Sequence, residues 1–136
     1  MSVAGTVSVD RVFRTIKVGI GDMNLDREMS RYLVVDEESI RHALRKIEDN
    51  DEGIVVCVDT SGLLLGIVTD GDVRRWMIGE GSPDLDQSVG MIVNRDFTSG
   101  RITDRVEKVE AMFNQSIHLV PLVDGDRRCV AITRPR

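Results

Sequence analysis

The sequence predicts an α+β fold built from two β-α-β-β-α repeats, the second repeat lacking its final helix. Two apolar runs that each end in aspartate, Gly53–Asp59 and His118–Asp124, lie 65 positions apart. Each run follows a helical period of apolar residues and leads through a turn into a second apolar run that stops at a threonine. One such unit is too small to close a core, so the two copies are expected to pack against each other.

The first repeat is expected to begin with a short strand at Tyr32–Val35, followed by a helix. The helix is predicted by apolar residues at positions i, i+3, i+4 and i+7, with charged residues on the other face. These apolar residues are Ile40, Ala43, Leu44 and Ile47. The acidic stretch Asp36–Ser39 precedes them and suits the free amides and the positive end of the helix dipole.

A hairpin and a second helix complete the first repeat. The apolar runs Gly53–Asp59 and Leu63–Thr69 flank the turn Thr60–Gly62, which is the pattern of a β-hairpin. The helix is expected over residues 70–78, because glycines follow it.

The second repeat shows the same signals, with a strand expected at Asp96–Thr98 and a hairpin at His118–Asp124 and Cys129–Thr133. Between them, a helix is expected to start after Thr103-Asp104. Its apolar positions are Val106, Val109, Met112 and Phe113. The repeats are assigned to residues 23–90 and 91–136. Residues 1–22 form an apolar segment that we expect to dock on the fold or on a partner.

Composition excludes several classes of function. The chain has 136 residues, of which 41% are hydrophobic, 30% charged and 4% aromatic, with a net charge of −5. The apolar content argues against a disordered chain, and the acidic balance and few aromatic residues argue against nucleic-acid and anionic-membrane partners. No apolar stretch is long enough to cross a membrane and no signal peptide is visible. We therefore expect a cytoplasmic protein whose Cys57 and Cys129 are buried strand thiols.

No pattern typical of catalysis or of a resident cofactor is found. The histidines and cysteines lack the spacing of a zinc site, and neither a P-loop nor a complete dinucleotide-binding fingerprint is present. Asp70 and Asp72 are paired acids, but they lack the ligand count of a calcium loop. We therefore expect no enzyme activity, no required cofactor and no metal site; a small metal-dependent hydrolase using these two acids is a remote alternative.

The string Thr69-Asp70-Gly71-Asp72 combines features of a phosphate site and of a helix cap. A strand ends at Val68 and a helix begins almost at once, so backbone amides and the Thr69 hydroxyl are available to an anion. Gly71 permits close approach of a ligand, and the Asp72 carboxylate offers two acceptor oxygens to the hydroxyls of a ribose. However, Thr-x-x-Asp is also close to a capping box, which needs no ligand. Both interpretations stay open at this point.

The order of elements and the segment Gly66–Arg75 resemble a CBS domain, and the doubled unit resembles a CBS-domain pair, or Bateman module. The similarity is greatest to modules attached to sugar-phosphate isomerases and sugar-nucleotide transferases. This resemblance implies a regulatory module that binds an adenosine nucleotide (AMP, ADP, ATP, or sometimes S-adenosylmethionine) between its repeats. It also implies a homodimer and an attached or associated enzyme.

The resemblance also implies a set of site residues. Thr69 is expected to contact phosphate and Asp72 the ribose. Independently of the resemblance, the guanidinium of Arg74 or Arg75 is suited to bind a phosphate; the alternative is that both lie on an exposed helix face and pair with nearby acids. The base is expected against the first strand and the start of the hairpin of each repeat, including Phe97–Thr98 in the second. The remaining candidates are Gly66, Ile67, Asp70, Gly71, Leu33, Val34, Gly53, Ile54, Val55, His118, Leu119 and Thr133.

The second repeat lacks the full Thr-Asp-Gly-Asp string of the first. Thr133 is matched to Thr69, and Arg136 then stands where the first repeat has Asp72. Because the carboxylate is missing, we expect one competent site per chain. The alternative function is a structural dimerisation module whose nucleotide pocket is vestigial.

Overall fold

The structure is a computed structural model that describes residues 24–25 and 29–135, with side chains for residues 29–135. The strands are β1 (Asn24–Leu25), β2 (Leu33–Val35), β3 (Ile54–Val58), β4 (Leu64–Thr69), β5 (Gly100–Arg101), β6 (Val120–Val123) and β7 (Cys129–Arg134). The helices are α1 (Ile40–Asn50), α2 (Asp70–Gly79) and α3 (Val106–Glu110), with 3₁₀ turns at Met29–Tyr32 and Val89–Ile92. The predicted N-terminal docking segment, residues 1–22, lies outside the described residues.

Two small sheets repeat one topology. In the first sheet the strand order is β2-β3-β4, and in the second it is β1-β7-β6-β5. The parallel pair β2–β3 and the antiparallel hairpin β3–β4 correspond to the parallel pair β5–β6 and the antiparallel hairpin β6–β7. β1 adds antiparallel to β7. The predicted α+β repeat architecture is therefore confirmed.

The hairpin turns repeat in atomic detail. Asp59 Oδ1 accepts hydrogen bonds from the amides of Ser61 and Leu63. In the second hairpin, Asp124 Oδ1 accepts hydrogen bonds from the amides of the equivalent residues, Asp126 and Arg128. The two turns also bond to each other reciprocally. The amide of Leu64 donates to the carbonyl of Arg127 at 3.0 Å, and the amide of Cys129 donates to that of Gly62 at 3.0 Å. This exchange is the signature of a pseudo-twofold axis between the repeats.

The core lies in three layers. A shared cluster between the repeats contains fully buried Tyr32 and Leu33 from the first and Ile132 from the second. A second cluster packs the first sheet against α1 and α2, and a third packs the second sheet against α3. Burying apolar side chains between the sheets is what joins the two half-units into one core.

α1 forms where the apolar period predicted it. Ser39 is its N-cap and its hydroxyl accepts the His42 amide at 3.0 Å. The helix buries Ile40, Ala43 and Ile47 against the first sheet and ends before Asp51, which has a positive φ of 63°. The predicted cap and stripe are both confirmed.

The second repeat differs from the prediction in two elements. The stretch Asp96–Thr98 is not a strand; the residues that pair with β6 are Gly100 and Arg101. α3 has five residues and its N-cap is Arg105, without a side-chain cap, because the Asp104 carboxylate accepts the Arg101 amide instead. The chain then turns at Asn114, whose side chain accepts the amides of Ser116 and Ile117. Met112 and Phe113 still pack on the third cluster as the apolar period predicts, but the chain leaves the α-helix after Glu110 and continues in turns.

The Asp59 turn predicts a pH effect on stability. Burial opposes ionisation of Asp59, but hydrogen bonds from Ser61, Leu63 and Gly62 lower the pKa of its carboxyl below the ordinary value. A lowered native pKa contributes stability above the unfolded-state pKa of about 3.9, and that stability is lost as the pH falls through the native value. Asp59→Asn should therefore destabilise the chain at pH 7, and its deficit relative to the unsubstituted chain should shrink in acid.

The measurement is urea unfolding, followed by the fluorescence of the single tryptophan, Trp76, at pH 7 and near pH 2. Glu48→Gln, on the exposed face of α1, controls for the loss of one negative charge. An Asp59→Asn deficit that is the same at both pH values would contradict the argument.

Candidate functional site

A cavity of about 480 Å³ lies between the two repeats. Its volume is in the range of small-molecule sites. Four segments line it: the start of β3, the end of β4, the linker before β5 and the loop before β6. The lining residues are Glu52, Gly53, Ile54, Ile67, Thr69, Asp96, Phe97, Thr98, Ser116, Ile117, His118 and Leu119.

The cavity offers apolar and polar groups at the same time. Ile54, Ile67 and Phe97 are partly buried and pack on the shared core, so they present apolar atoms to a ligand. Thr69, Thr98 and Ser116 bring hydroxyls. Glu52 and Asp96 bring carboxyl groups. The arrangement suits a flat apolar group held by hydrogen bonds at its edges.

The cavity reaches the start of α2, where the predicted capping box is present. The Thr69 hydroxyl accepts the Asp72 amide at 3.0 Å, and Asp72 Oδ2 accepts the Thr69 amide at 2.9 Å. The Thr69 O–H proton is not used by this box and can donate to an anion in the cavity. The capping interpretation is therefore confirmed, and it leaves the hydroxyl available for a ligand.

Charged side chains surround the start of α2. Asp72 is mostly buried, with 12% of its side chain exposed, and its Oδ1 accepts Arg75 Nη2 at 2.7 Å. Asp70 pairs with Arg74 at 2.6 Å on the solvent side of the helix. Gly71, Asp72 and Arg74 are not among the residues that line the cavity, and Arg74 pairs with Asp70 instead.

Several predicted base-contact residues are not in the cavity. Val34 and Val55 are fully buried in the cluster that faces the helices, because successive strand residues point to opposite faces of a sheet. Leu33 is fully buried in the shared core beneath the site. The structure brings Gly53, Ile54, Ile67, His118 and Leu119 to the cavity as predicted, together with Phe97–Thr98.

Gly66 serves a packing purpose. A Cβ atom built on it would lie 2.3 Å from the carbonyl oxygen of Asn94 and 2.5 Å from Val93 Cγ1. The linker before β5 lies directly against β4 here, held by paired bonds between Ile67 and Asn94 of 3.0 and 2.8 Å. Only glycine permits this approach, and the linker then continues to Asp96 and Phe97 in the cavity wall.

Thr133 is not the structural counterpart of Thr69. In β3–β4 the partner of Val55 is Val68, and in β6–β7 the partner of Val120 is Thr133. Thr133 therefore corresponds to Val68: it is fully buried and its hydroxyl donates to the carbonyl of Val120 at 2.8 Å. Arg134 stands at the position of Thr69. The sequence match was displaced by one residue, which turns a strand side chain to the other face.

Four lining residues were missed from the sequence. They are Glu52, Asp96, Ser116 and Ile117. Glu52 and Ile117 are themselves 65 positions apart, each two residues before an apolar residue that lines the cavity. Extending the repeat alignment by one residue upstream of each hairpin would have found this pair. Asp96 and Ser116 lie in irregular loops that have no periodic signal.

The described residues contain no group of three or more His, Cys, Asp or Glu that could hold a metal ion. Cys57 and Cys129 are buried in strands, as predicted, and burial raises the pKa of each thiol to about 12. Both thiols are therefore protonated near neutral pH and act as core side chains. In the described part of the chain, no helix has the length and apolar character needed to cross a membrane.

Sequence comparisons match part of the chain to the CBS domain and to arabinose 5-phosphate isomerases. Residues 20–79 match the family model of the CBS domain. Arabinose 5-phosphate isomerase KpsF of Escherichia coli O6:H1 is 26% identical over 98 residues, which cover 72% of this chain and 30% of the isomerase. Arabinose 5-phosphate isomerase GutQ of Salmonella typhi is 28% identical over 86 residues, which cover 63% of this chain and 26% of that protein. The chain thus spans less than a third of the length of these relatives, and the matches cover only their CBS part.

Solved structures show the same fold. A CBS domain pair/ACT domain protein from Thermotoga maritima superposes with a TM-score of 0.66 at 19% identity, covering 85% of this chain and 88% of that one. CBSX2 in complex with AMP gives 0.63 at 17%, covering 87% and 89%. Listeria monocytogenes CbpB in complex with c-di-AMP gives 0.64 at 17%, covering 75% and 78%. A CBS domain pair is a regulatory module and not a catalytic domain. Residues 20–79 therefore match the CBS domain model, and the chain has the fold of a CBS domain pair.

Proposed function

We propose that this chain is a regulatory module that binds an adenosine nucleotide in the cavity between its repeats. Binding modulates an attached or associated enzyme of sugar-phosphate or sugar-nucleotide metabolism. The observation that carries this proposal is the cavity itself, which joins apolar walls from both repeats to the Thr69 hydroxyl at the start of α2. The similarity to isomerases that are much longer than this chain supports an enzyme as the regulated partner.

Two kinds of group in the cavity suit the two parts of a nucleotide, its base and its phosphate. Ile54, Ile67 and Phe97 provide the apolar contacts that an adenine ring requires. The Thr69 hydroxyl and the first amides of α2 favour a phosphate group. Asp72 does not line the cavity, but it is bonded to Thr69, which does, and each of its oxygens retains a lone pair for a ribose hydroxyl.

Regulation would act through the relative orientation of the repeats. A ligand held by Ile54 and Thr69 of the first repeat and by His118 and Leu119 of the second favours the arrangement in which all four contacts are made. A partner enzyme responds only if it binds two arrangements of the repeats with different affinity. The proposal therefore couples nucleotide binding to the interface with the regulated enzyme.

A thermal-shift panel with AMP, ADP, ATP, S-adenosylmethionine and a CMP-sugar tests the proposal. A ligand present at 100 times its Kd stabilises the folded chain by about 2.7 kcal/mol. At roughly 4 °C for each kcal/mol, this gives a readily measured rise in Tm. At least one adenosine ligand should raise the Tm. If none raises it at millimolar concentration, the proposal is wrong.

Asp72→Asn separates binding from helix capping. The asparagine oxygen still accepts the Thr69 amide, so we expect a loss of stability below about 1 kcal/mol. The charge that orders the ribose contacts and holds Arg75 is lost, so AMP affinity should fall by about tenfold or more in calorimetric titration. Glu80→Gln, which removes one exposed charge just after α2, is the control. If the AMP affinity is unchanged and the Tm is lower, Asp72 caps α2 but takes no part in nucleotide binding.

A structural dimerisation module is the second candidate. The capping box is complete without a ligand. The large apolar residues Ile78 and Met91 are 78% and 63% exposed, so a second copy of the chain could cover them. Light scattering coupled to gel filtration together with the thermal-shift panel distinguishes the two candidates, because a purely structural module would dimerise and show no rise in Tm with any nucleotide. A regulatory homodimer would bind nucleotide as well.

A further inference from the structure

We propose that the second cleft of the pair is filled from within by Arg134, so that each chain binds a single nucleotide. This inference rests on the proposed function for its ligand, and it concerns a neighbouring cleft, because Arg134 bonds to Glu52 in the wall of the first cavity. The pseudo-twofold axis generates a second cleft from the first. In that cleft Arg134 takes the place of Thr69, and the segment at Tyr32 takes the place of Phe97–Thr98.

The Arg134 side chain points into that position and is held there. Its Nη1 donates to Glu52 Oε2 at 3.0 Å, and its guanidinium carbon lies 5.2 Å from the centre of the Tyr32 ring. The side chains of Arg134 and Glu52 are only 23% and 24% exposed. A planar cation packed on an aromatic ring and bonded to a carboxylate occupies the volume that a base would need.

The filled cleft is also sealed around Tyr32. This side chain is fully buried, whereas Thr98, which the strand register matches to it, lines the open cavity. Arg31 lies over the same ring at 5.4 Å. A nucleotide entering here would have to displace Arg134 from Glu52 and Tyr32. In the first cleft, no described cation occupies the corresponding place, because Thr69 is too short to reach across it.

Tyr32 is the only tyrosine in the chain, so it provides a specific probe. The chain is labelled with 3-fluorotyrosine and studied by ¹⁹F NMR with a soluble gadolinium chelate, beside calorimetric titration with AMP. We expect one AMP per chain and little paramagnetic broadening of the Tyr32 resonance. Arg134→Thr, which installs the residue of the first cleft, should open the second cleft and increase the broadening severalfold. Arg134→Met keeps the length and removes the charge, and Arg45→Ala on exposed α1 is the matched control.

The two readouts separate the possible failures. Two AMP molecules per unsubstituted chain, or a Tyr32 resonance as broadened in the unsubstituted chain as in Arg134→Thr, would overturn this inference and leave the proposed function intact. If AMP does not bind, the titration is repeated with the adenosine ligand that raises the Tm; if no adenosine ligand binds, the nucleotide proposal is refuted, and the broadening measurement alone decides whether Arg134 fills the cleft. If Arg134→Thr does not fold, the same comparison is made with Arg134→Met.

Discussion

Replacement of Gly66 by alanine is expected to destabilise the chain by about 2–3 kcal/mol, the cost of forcing extra volume into a close-packed site. The new methyl group would lie 2.3 Å from the Asn94 carbonyl oxygen, which is backbone and cannot rotate away. The linker would have to move off β4 and lose one or both of its hydrogen bonds to Ile67. Urea unfolding followed by Trp76 fluorescence measures the loss.

Gly125→Ala is the matched control for Gly66. It lies in a hairpin turn, and a Cβ atom there meets nothing within 4 Å. We expect its free energy of unfolding to stay within about 0.5 kcal/mol of that of the unsubstituted chain. Equal stability of the two alanine variants would show that the linker does not depend on close approach to β4. Because the linker continues into the cavity wall, Gly66→Ala should also weaken AMP binding.

Replacement of Thr69 by valine is expected to lower AMP affinity by about tenfold or more, which corresponds to roughly 1.4 kcal/mol. Valine keeps the shape of threonine but removes the hydroxyl that faces the cavity. It also removes the cap on the Asp72 amide, which costs about 1 kcal/mol of stability. Calorimetric titration with AMP measures the first effect and urea unfolding the second. Thr69→Ser should restore both.

Ser39→Ala separates the two effects of Thr69→Val. Ser39 caps α1 in the same way, by accepting the His42 amide, but it does not line the cavity. Its loss should cost a similar amount of stability and leave AMP affinity unchanged. If the AMP affinity of Thr69→Val is within twofold of that of the unsubstituted chain, the Thr69 hydroxyl does not contribute to nucleotide binding.

The fold was predictable because both of its signals are local and periodic. The apolar stripe of α1 and the aspartate-turn pattern of the two hairpins each depend on residues close together in the sequence. The structure contains both where they were expected. The 65-residue repeat predicted the pairing of the two units. β5 was misplaced, because its two residues are selected by pairing with β6 and not by their own composition.

The site was predictable only in part, because its geometry depends on register and on irregular segments. Thr69 was found from the string at the start of α2, but Thr133 was assigned to the wrong counterpart by one position. No local signal reveals that the Asn94 backbone packs against Gly66, or that the Arg134 side chain bonds to Glu52, since these contacts join residues far apart in the chain. Only the packed repeats bring such residues together.

The central claim is that an adenosine nucleotide binds between the two repeats, and nuclear Overhauser effects between AMP and methyl-labelled protein test it most directly. The account predicts contacts from the adenine protons to Ile54 and Ile67 of the first repeat and to Leu119 of the second, in one complex. Contacts to methyl groups of one repeat only would place the ligand outside the cavity. Contacts to exposed Ile78 alone, or no contacts at millimolar AMP, would contradict the account.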